Sequence, residues 1–199
     1  KAIKTRDGQP IKLIDLLNEA IARAKKMVLE KKPDLPTEEV NKRSKTIGLG
    51  AVRYADLSQD RTLDYVFSWE KMLAMQGNTA PYLQYAVARI HSIFRKVQLE
   101  PSQIQLSTYL PETNSEKKLV RKFLFFPSVI KQTTKELKPH YLGGYLYELA
   151  TEFSSFYNQS KVMVENEEIK SLRLILCART LCILEIGMNI LGIETLKEM

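Results

Sequence analysis

Residues 54–97 read YADLSQDRTLDYVFSWEKMLAMQGNTAPYLQYAVARIHSIFRKV. The second half of this stretch decides the fold. Leu83, Ala86, Val87, Ile90, Phe94 and Val97 recur every three or four residues and predict an apolar helical stripe. Asn78 or Thr79 can cap its start, and Pro81 is tolerated in a first turn, where its missing N–H costs little. Tyr82, Tyr85, Arg89, Ser92 and Lys96 form a second row on the same helix. Two tyrosines in line with two cations suit stacking on bases and holding phosphates. The same spacing also suits tyrosines packed at a core rim beside solvated cations.

Outward from this helix the pattern stays helical. Leu13, Leu17, Ala20, Ala24 and Met27 share a face and predict a helix that stops before Pro33. Thr37 is placed to cap a short second helix, with Glu38 and Glu39 in its first turn and Gly48 and Gly50 loosening the chain after it. DYVFSW, residues 64–69, has the aromatic and β-branched content of a short strand. Gln76-Gly77-Asn78 reads as a domain boundary, giving domains at 1–76 and 77–199.

Beyond residue 98 a loop with Pro101 and Pro111 precedes a helix capped by Ser115, which Pro127 is expected to end and a further helix to continue. Leu142, Leu146, Leu149, Phe153 and Phe156 mark a long helix over 140–161. Residues 172–191 are apolar on nearly every side and predict a central helix. The expected architecture is mostly α: a helical bundle preceded by a short α/β remnant.

The chain of 199 residues is 44% hydrophobic, enough for a packed core, and carries a formal charge of +7. With a sequence pI near 9.3, it favours a polyanionic partner such as nucleic acid. Cys177 and Cys182 are five apart, unlike any zinc or redox motif, and are expected to be packed thiols. With only two histidines and no Cys/His cluster, no metal site is expected. His91 and His140 lack a nucleophile nearby in sequence and read as structural. Arg173, Arg179 and Glu185 interrupt the most apolar stretch, which excludes a transmembrane span there.

YADLS, DYVFSW and GNTAPYLQYA stand in one order, and together they closely resemble the arginyl-tRNA synthetase family of class I aminoacyl-tRNA synthetases. The resemblance extends over essentially the whole chain. It implies the end of a catalytic core followed by a helical anticodon-binding domain, and hence the C-terminal part of a longer protein. In that family the activity is ATP-dependent attachment of arginine to its tRNA. Arginine tRNA, the N-terminal catalytic core and ATP with Mg are therefore the implied partners and co-substrates. A monomer, a cytoplasmic location and no membrane association are expected.

The opening Lys1-Ala2-Ile3-Lys4-Thr5 resembles the second class I motif, Lys-Met-Ser-Lys-Ser, in degenerate form. The resemblance assigns Lys1 and Lys4 to the ATP phosphates, where fixed charge stabilises developing charge. Asp7 departs from the small residue expected before Gly8 and weakens that attraction. The His-x-Gly-His motif is absent, so no catalytic site is complete and the chain alone is expected to be inactive. The resemblance also nominates Tyr82, Tyr85, Tyr157 and Met199 as contacts for anticodon-loop bases. Arg89, Lys96 and Lys161 are the expected phosphate contacts. The alternative is a helical protein-interaction module that has lost its RNA affinity.

Overall fold

The computed structural model describes residues 12–64, 67–104 and 109–199. The motif-like segment with Lys1 and Lys4 lies outside the described residues. Among the described residues seven α-helices run in order: α1 (Leu13–Lys31), α2 (Thr37–Leu57), α3 (Trp69–Met72), α4 (Ala80–Val97), α5 (Asn114–Glu136), α6 (His140–Gln159) and α7 (Glu167–Ile190). The mostly α expectation holds, and the described residues contain no strand. None of the described helices is long and apolar enough to cross a membrane.

α1 buries Ala20, Ala24 and Val28, while Leu13 at the head of the expected stripe is exposed. α2 is not short: it runs 21 residues through both glycines. The reason is packing. A Cβ on Gly48 would lie 2.8 Å from the Cα and N of Ile21, so glycine lets the backbones of α1 and α2 touch. At Gly50 a Cβ would meet the side-chain nitrogen of Gln84 at 3.0 Å. Thr37 is the first helical residue rather than the cap, which falls to Pro36 without a side-chain bond.

The strand expected at 64–69 is not what its described residues form. Ser68 accepts a hydrogen bond from the Lys71 amide and caps a helical turn that begins at Trp69. That cap overrides the strand preference of an aromatic run. Trp69 sets its ring edge against Phe67 at 4.8 Å and lies under the Arg23 guanidinium at 5.2 Å, which ties the turn to α1.

Thr79, not Asn78, caps α4, and Gln98 ends it in the left-handed region. Thr113 rather than Ser115 caps α5, in a reciprocal box with Glu116. Pro127 does not break α5, which continues beyond it to Glu136. Pro127 is exposed, and packing of Phe126, Val129 and Ile130 against the bundle core offsets the bond that proline removes. Asn166 caps α7 through the amides of Glu168 and Ile169 at 3.0 Å.

Helices α4–α7 enclose the larger core. Leu142, Leu146, Leu149, Phe153 and Phe156 of α6 are fully buried, as their spacing predicts. A smaller core joins Ala24, Val28, Val40, Ile47 and Ala51 of α1 and α2 to Met72, Leu73 and Leu196. Chain order and packing cross here. Tyr54 of α2 is buried in the larger core and donates its hydroxyl proton to the Gly143 carbonyl at 2.8 Å. Burial raises its phenol well above the ordinary value. Leu196 and Met199, at the far end of the chain, pack in the smaller core.

The segment after α7 turns at Gly192, whose φ of +68° suits glycine, and runs back over α2 and α4. Arg53 donates to the Gly192 carbonyl. The fully buried Gln84 donates from Nε2 to the carbonyls of Thr46 (3.2 Å) and Glu194 (2.9 Å), holding α2, α4 and the tail together. The two cysteines differ. Cys177 is buried, its thiol pushed up to about 12 by desolvation, whereas Cys182 is exposed, contrary to expectation, because it falls on the outer side of α7.

Candidate nucleic-acid interface

Helices α4 and α6 and the tail line a cleft of about 520 Å³. Tyr85, Ala88, Arg89, Ser92 and Arg95 come from one row of α4. Tyr157 comes from the last turn of α6, Lys32 from the end of α1, and Glu198 and Met199 from the tail. Four of the seven nominated tRNA contacts meet here: Tyr85, Arg89, Tyr157 and Met199.

The position of Tyr157 follows from helical phase. Phe153 and Phe156 are fully buried, and one further residue turns the next ring outward to 37% exposure. Tyr85 is 36% exposed. Between α4 and α6 the Arg89 guanidinium carbon lies 4.7 Å from the Tyr85 ring centroid and 5.2 Å from that of Tyr157. Lys31 adds a second cation, 5.5 Å from the Tyr85 centroid. Hydrogen bonding and charge from Arg89, with a smaller contribution from Lys31, lower the Tyr85 phenol below its ordinary value.

Met199 is half-buried and is not a loose end. It also borders a small apolar pocket with Met27, Val28, Leu35, Ile47 and Met75, so one of its sides belongs to the smaller core. The tail reaches this place through charge. Glu198 lies 3.4 Å from Nη2 of Arg43 and 3.7 Å from Nε of Arg95, and Arg95 donates to the Lys197 carbonyl at 3.0 Å.

The other three nominated residues are elsewhere. Tyr82 is half-buried against α6, its ring 5.8 Å from that of Tyr147 and its hydroxyl 3.4 Å from that of Ser154. Lys96 and Lys161 are exposed and do not line the cleft. On α4 the row bends: after Ser92 it continues with Arg95, three residues on, rather than Lys96, four on. That alternative was present in the spacing. Lys32 and Glu198 carried no sequence signal, because their positions depend on how α1 and the tail dock.

This cleft can place flat aromatic faces beside fixed cations, which suits an unstacked base and its phosphate. A family model described as the DALR anticodon binding domain matches residues 83–199. One described as the catalytic domain of class I (R) tRNA synthetases matches residues 1–69. The chain belongs to the family of DALR anticodon-binding domains, in the form found in the C-terminal part of arginine–tRNA ligases. Over 200 aligned residues it is 44% identical to the arginine–tRNA ligase of Escherichia coli, covering 100% of this chain and 35% of that protein. The chain thus spans about a third of the length of the curated relatives it matches. Arginyl-tRNA synthetase from Plasmodium falciparum superposes with a TM-score of 0.83 at 33% identity, over 95% of this chain and 34% of that one. The Thermus thermophilus enzyme gives 0.84 at 29% identity, over 96% and 32%.

Proposed function

We propose that the chain is the tRNA-binding part of an arginine–tRNA ligase and that its cleft receives the anticodon loop of arginine tRNA. The observation that carries this reading is the meeting of Tyr85, Arg89, Tyr157 and Met199 in one cleft, from two helices and the tail. Tyr85 and Tyr157 are the stacking surfaces, and Met199 supplies an adaptable apolar edge. Arg89, Arg95 and Lys32 face the phosphates. Tyr82 supports α6 rather than a base, and Lys96 and Lys161 act only as diffuse positive charge.

Residues 1–76 are the end of the catalytic part and residues 77–199 the anticodon-binding part. Leu196 and Met199 pack in one small core with residues of α1 and α2, which joins the two parts. In the complete protein ATP with Mg is the co-substrate, and Lys1 and Lys4 hold its phosphates during adenylation. The chain by itself forms no aminoacyl-tRNA. It acts as a monomer in the cytoplasm.

The test is binding of an arginine tRNA against the same tRNA with a changed anticodon, across a salt series. Tighter binding of the native anticodon, with affinity falling steeply as salt rises, supports the reading. Equal, weak and salt-insensitive binding of both would instead favour the protein-interaction module.

A further inference from the structure

Arg89 lies beside two tyrosine rings, and no acid among the described residues claims it. The side-chain carboxylate among the cleft-lining residues, that of Glu198, is engaged by Arg43 and Arg95. Arg89 forms no ion pair among the described residues, and its guanidinium lies against the rings of both Tyr85 and Tyr157. A guanidinium is flat, delocalised and weakly hydrated, so it rests on an aromatic face much as one edge of a base does. Tyr85 and Tyr157 are each roughly one-third exposed, and each ring has Arg89 over it. A base stacking on either ring in this cleft meets Arg89 first.

We propose that Arg89 is a displaceable plug: it covers the tyrosine faces in the unliganded protein, and an entering base displaces it onto that nucleotide's own phosphate. The proposal rests on the reading of the cleft as an anticodon site and adds how the site discriminates. Arg89 is held by its contacts with the two rings and by hydrogen bonding to the Tyr85 hydroxyl, each worth little at a partly exposed site, so a stacking base that offers a phosphate can replace them. The fate of the displaced guanidinium depends on the ligand's charge. A nucleotide in a loop removes Arg89 from the rings and offers it a phosphate, with a charge-assisted bond in place of the lost contact. An uncharged flat molecule removes it and offers nothing. Arg89 therefore favours phosphate-bearing strands over free nucleosides and other flat solutes. Lys31, a strongly hydrated point charge 5.5 Å from Tyr85, is the poorer cover and is not needed for the exchange.

The two ligand classes give opposite signs for one substitution. The protein, Arg89→Ala and Arg89→Lys are each titrated with cytidine, which has no phosphate, and with the anticodon stem–loop of an arginine tRNA. Binding is read by chemical shift for the first ligand and by calorimetry for the second. Arg89→Ala is expected to bind cytidine several-fold more tightly than the native protein. It should bind the stem–loop about tenfold more weakly at low salt, with the slope of log affinity against log salt reduced by about one. Arg89→Lys keeps the slope and shows a smaller gain for cytidine. It also carries the test should the alanine variant melt early. No gain for cytidine in either variant, with stem–loop binding intact in the native protein, overturns the plug. A native protein that fails to bind the stem–loop overturns the anticodon reading instead. A cytidine gain in that same experiment would support the covering of the rings by Arg89 and overturn its transfer to a phosphate.

Discussion

Replacing Gly48 by alanine sets two effects of opposite sign against each other. In a solvent-facing helix interior, glycine to alanine stabilises by about 1 kcal/mol, because alanine loses less backbone freedom on folding. At Gly48 the new Cβ would lie 2.8 Å from the Cα and N of Ile21 and 2.9 Å from the carbonyl carbon of Ala20. Ordinary contact begins at 3.4 Å, so α1 must retreat by about 0.6 Å. These are backbone atoms, and no side-chain rotation relieves them. Retreat loosens Ala24 and Val28 against Ile47 and Ala51 along the length of the pair. Overpacking a tight site typically costs about 1–3 kcal/mol, and a rigid neighbour favours the upper end. The net expectation is a loss of about 1–2 kcal/mol. Gly144 in α6 is the internal control, since nothing lies within 4 Å of a Cβ placed there. Gly144→Ala should gain up to about 1 kcal/mol. Urea unfolding of both variants beside the native protein measures the difference. If Gly48→Ala is as stable as Gly144→Ala, the close approach of α1 and α2 is not what this glycine provides.

The pair of buried Glu116 and half-buried Arg173, 2.9 Å apart, offers a second test, because removing one partner of a buried pair typically costs about 3–5 kcal/mol. Glu116→Ala should fall in that range by chemical denaturation, and Glu116→Gln, which keeps an acceptor for the Thr113 and Glu112 amides, should lose less. Burial opposes the charge on Glu116, but the Thr113 amide, the Arg173 guanidinium and the Glu112 amide together hold its carboxyl below the usual range. Its stabilisation is therefore complete above the ordinary value of 4.5 and disappears as pH falls through the lowered folded value. Stability measured against pH should fall less steeply below 4.5 in Glu116→Gln than in the native protein. Gln84→Leu removes the donor shared by the Thr46 and Glu194 carbonyls and should cost about 1–3 kcal/mol. It should also speed amide hydrogen exchange at Ile193, and unchanged exchange there would show that the tail is held by other contacts. Tyr157→Ala should weaken stem–loop binding by about 1–3 kcal/mol with little change in unfolding. Deleting Met199 should lower both binding and stability, since one side of that residue packs in the smaller core; a stability left unchanged would mean that this packing is idle.

Sequence periodicity was a good guide wherever one helix face meets one core. The five buried residues of α6 and the stripe of α4 are examples. It failed where a local signal is overruled by a neighbour. Gly48 and Gly50 look like breakers until α1 and Gln84 are seen to need the space. Pro127 looks like a terminus until both halves of α5 are seen against the same bundle. DYVFSW looks like a strand until Ser68 is seen capping the turn beneath Trp69. In the cleft, Tyr85, Arg89 and Tyr157 were legible from helical phase together with family resemblance. Lys32 and Glu198 were not, because the docking of distant segments leaves no periodic trace.

The tail contacts have a consequence in time. Arg43 meets Glu198 across 155 positions of chain, and Thr46 meets Glu194 across 148. The pairs α1–α2, α5–α6 and α6–α7 close over short connections, whereas these links join residues far apart in the sequence. Closing so long a loop is entropically costly until the surfaces at both ends exist, so such contacts form late. Glu198 and Met199 are a wall of the cleft. The surface proposed to receive RNA is therefore completed late in folding, in the step in which Leu196 of the tail closes the smaller core, and a chain caught earlier presents tyrosines without their surroundings. Regain of stem–loop binding after dilution from urea should lag behind regain of helical circular dichroism.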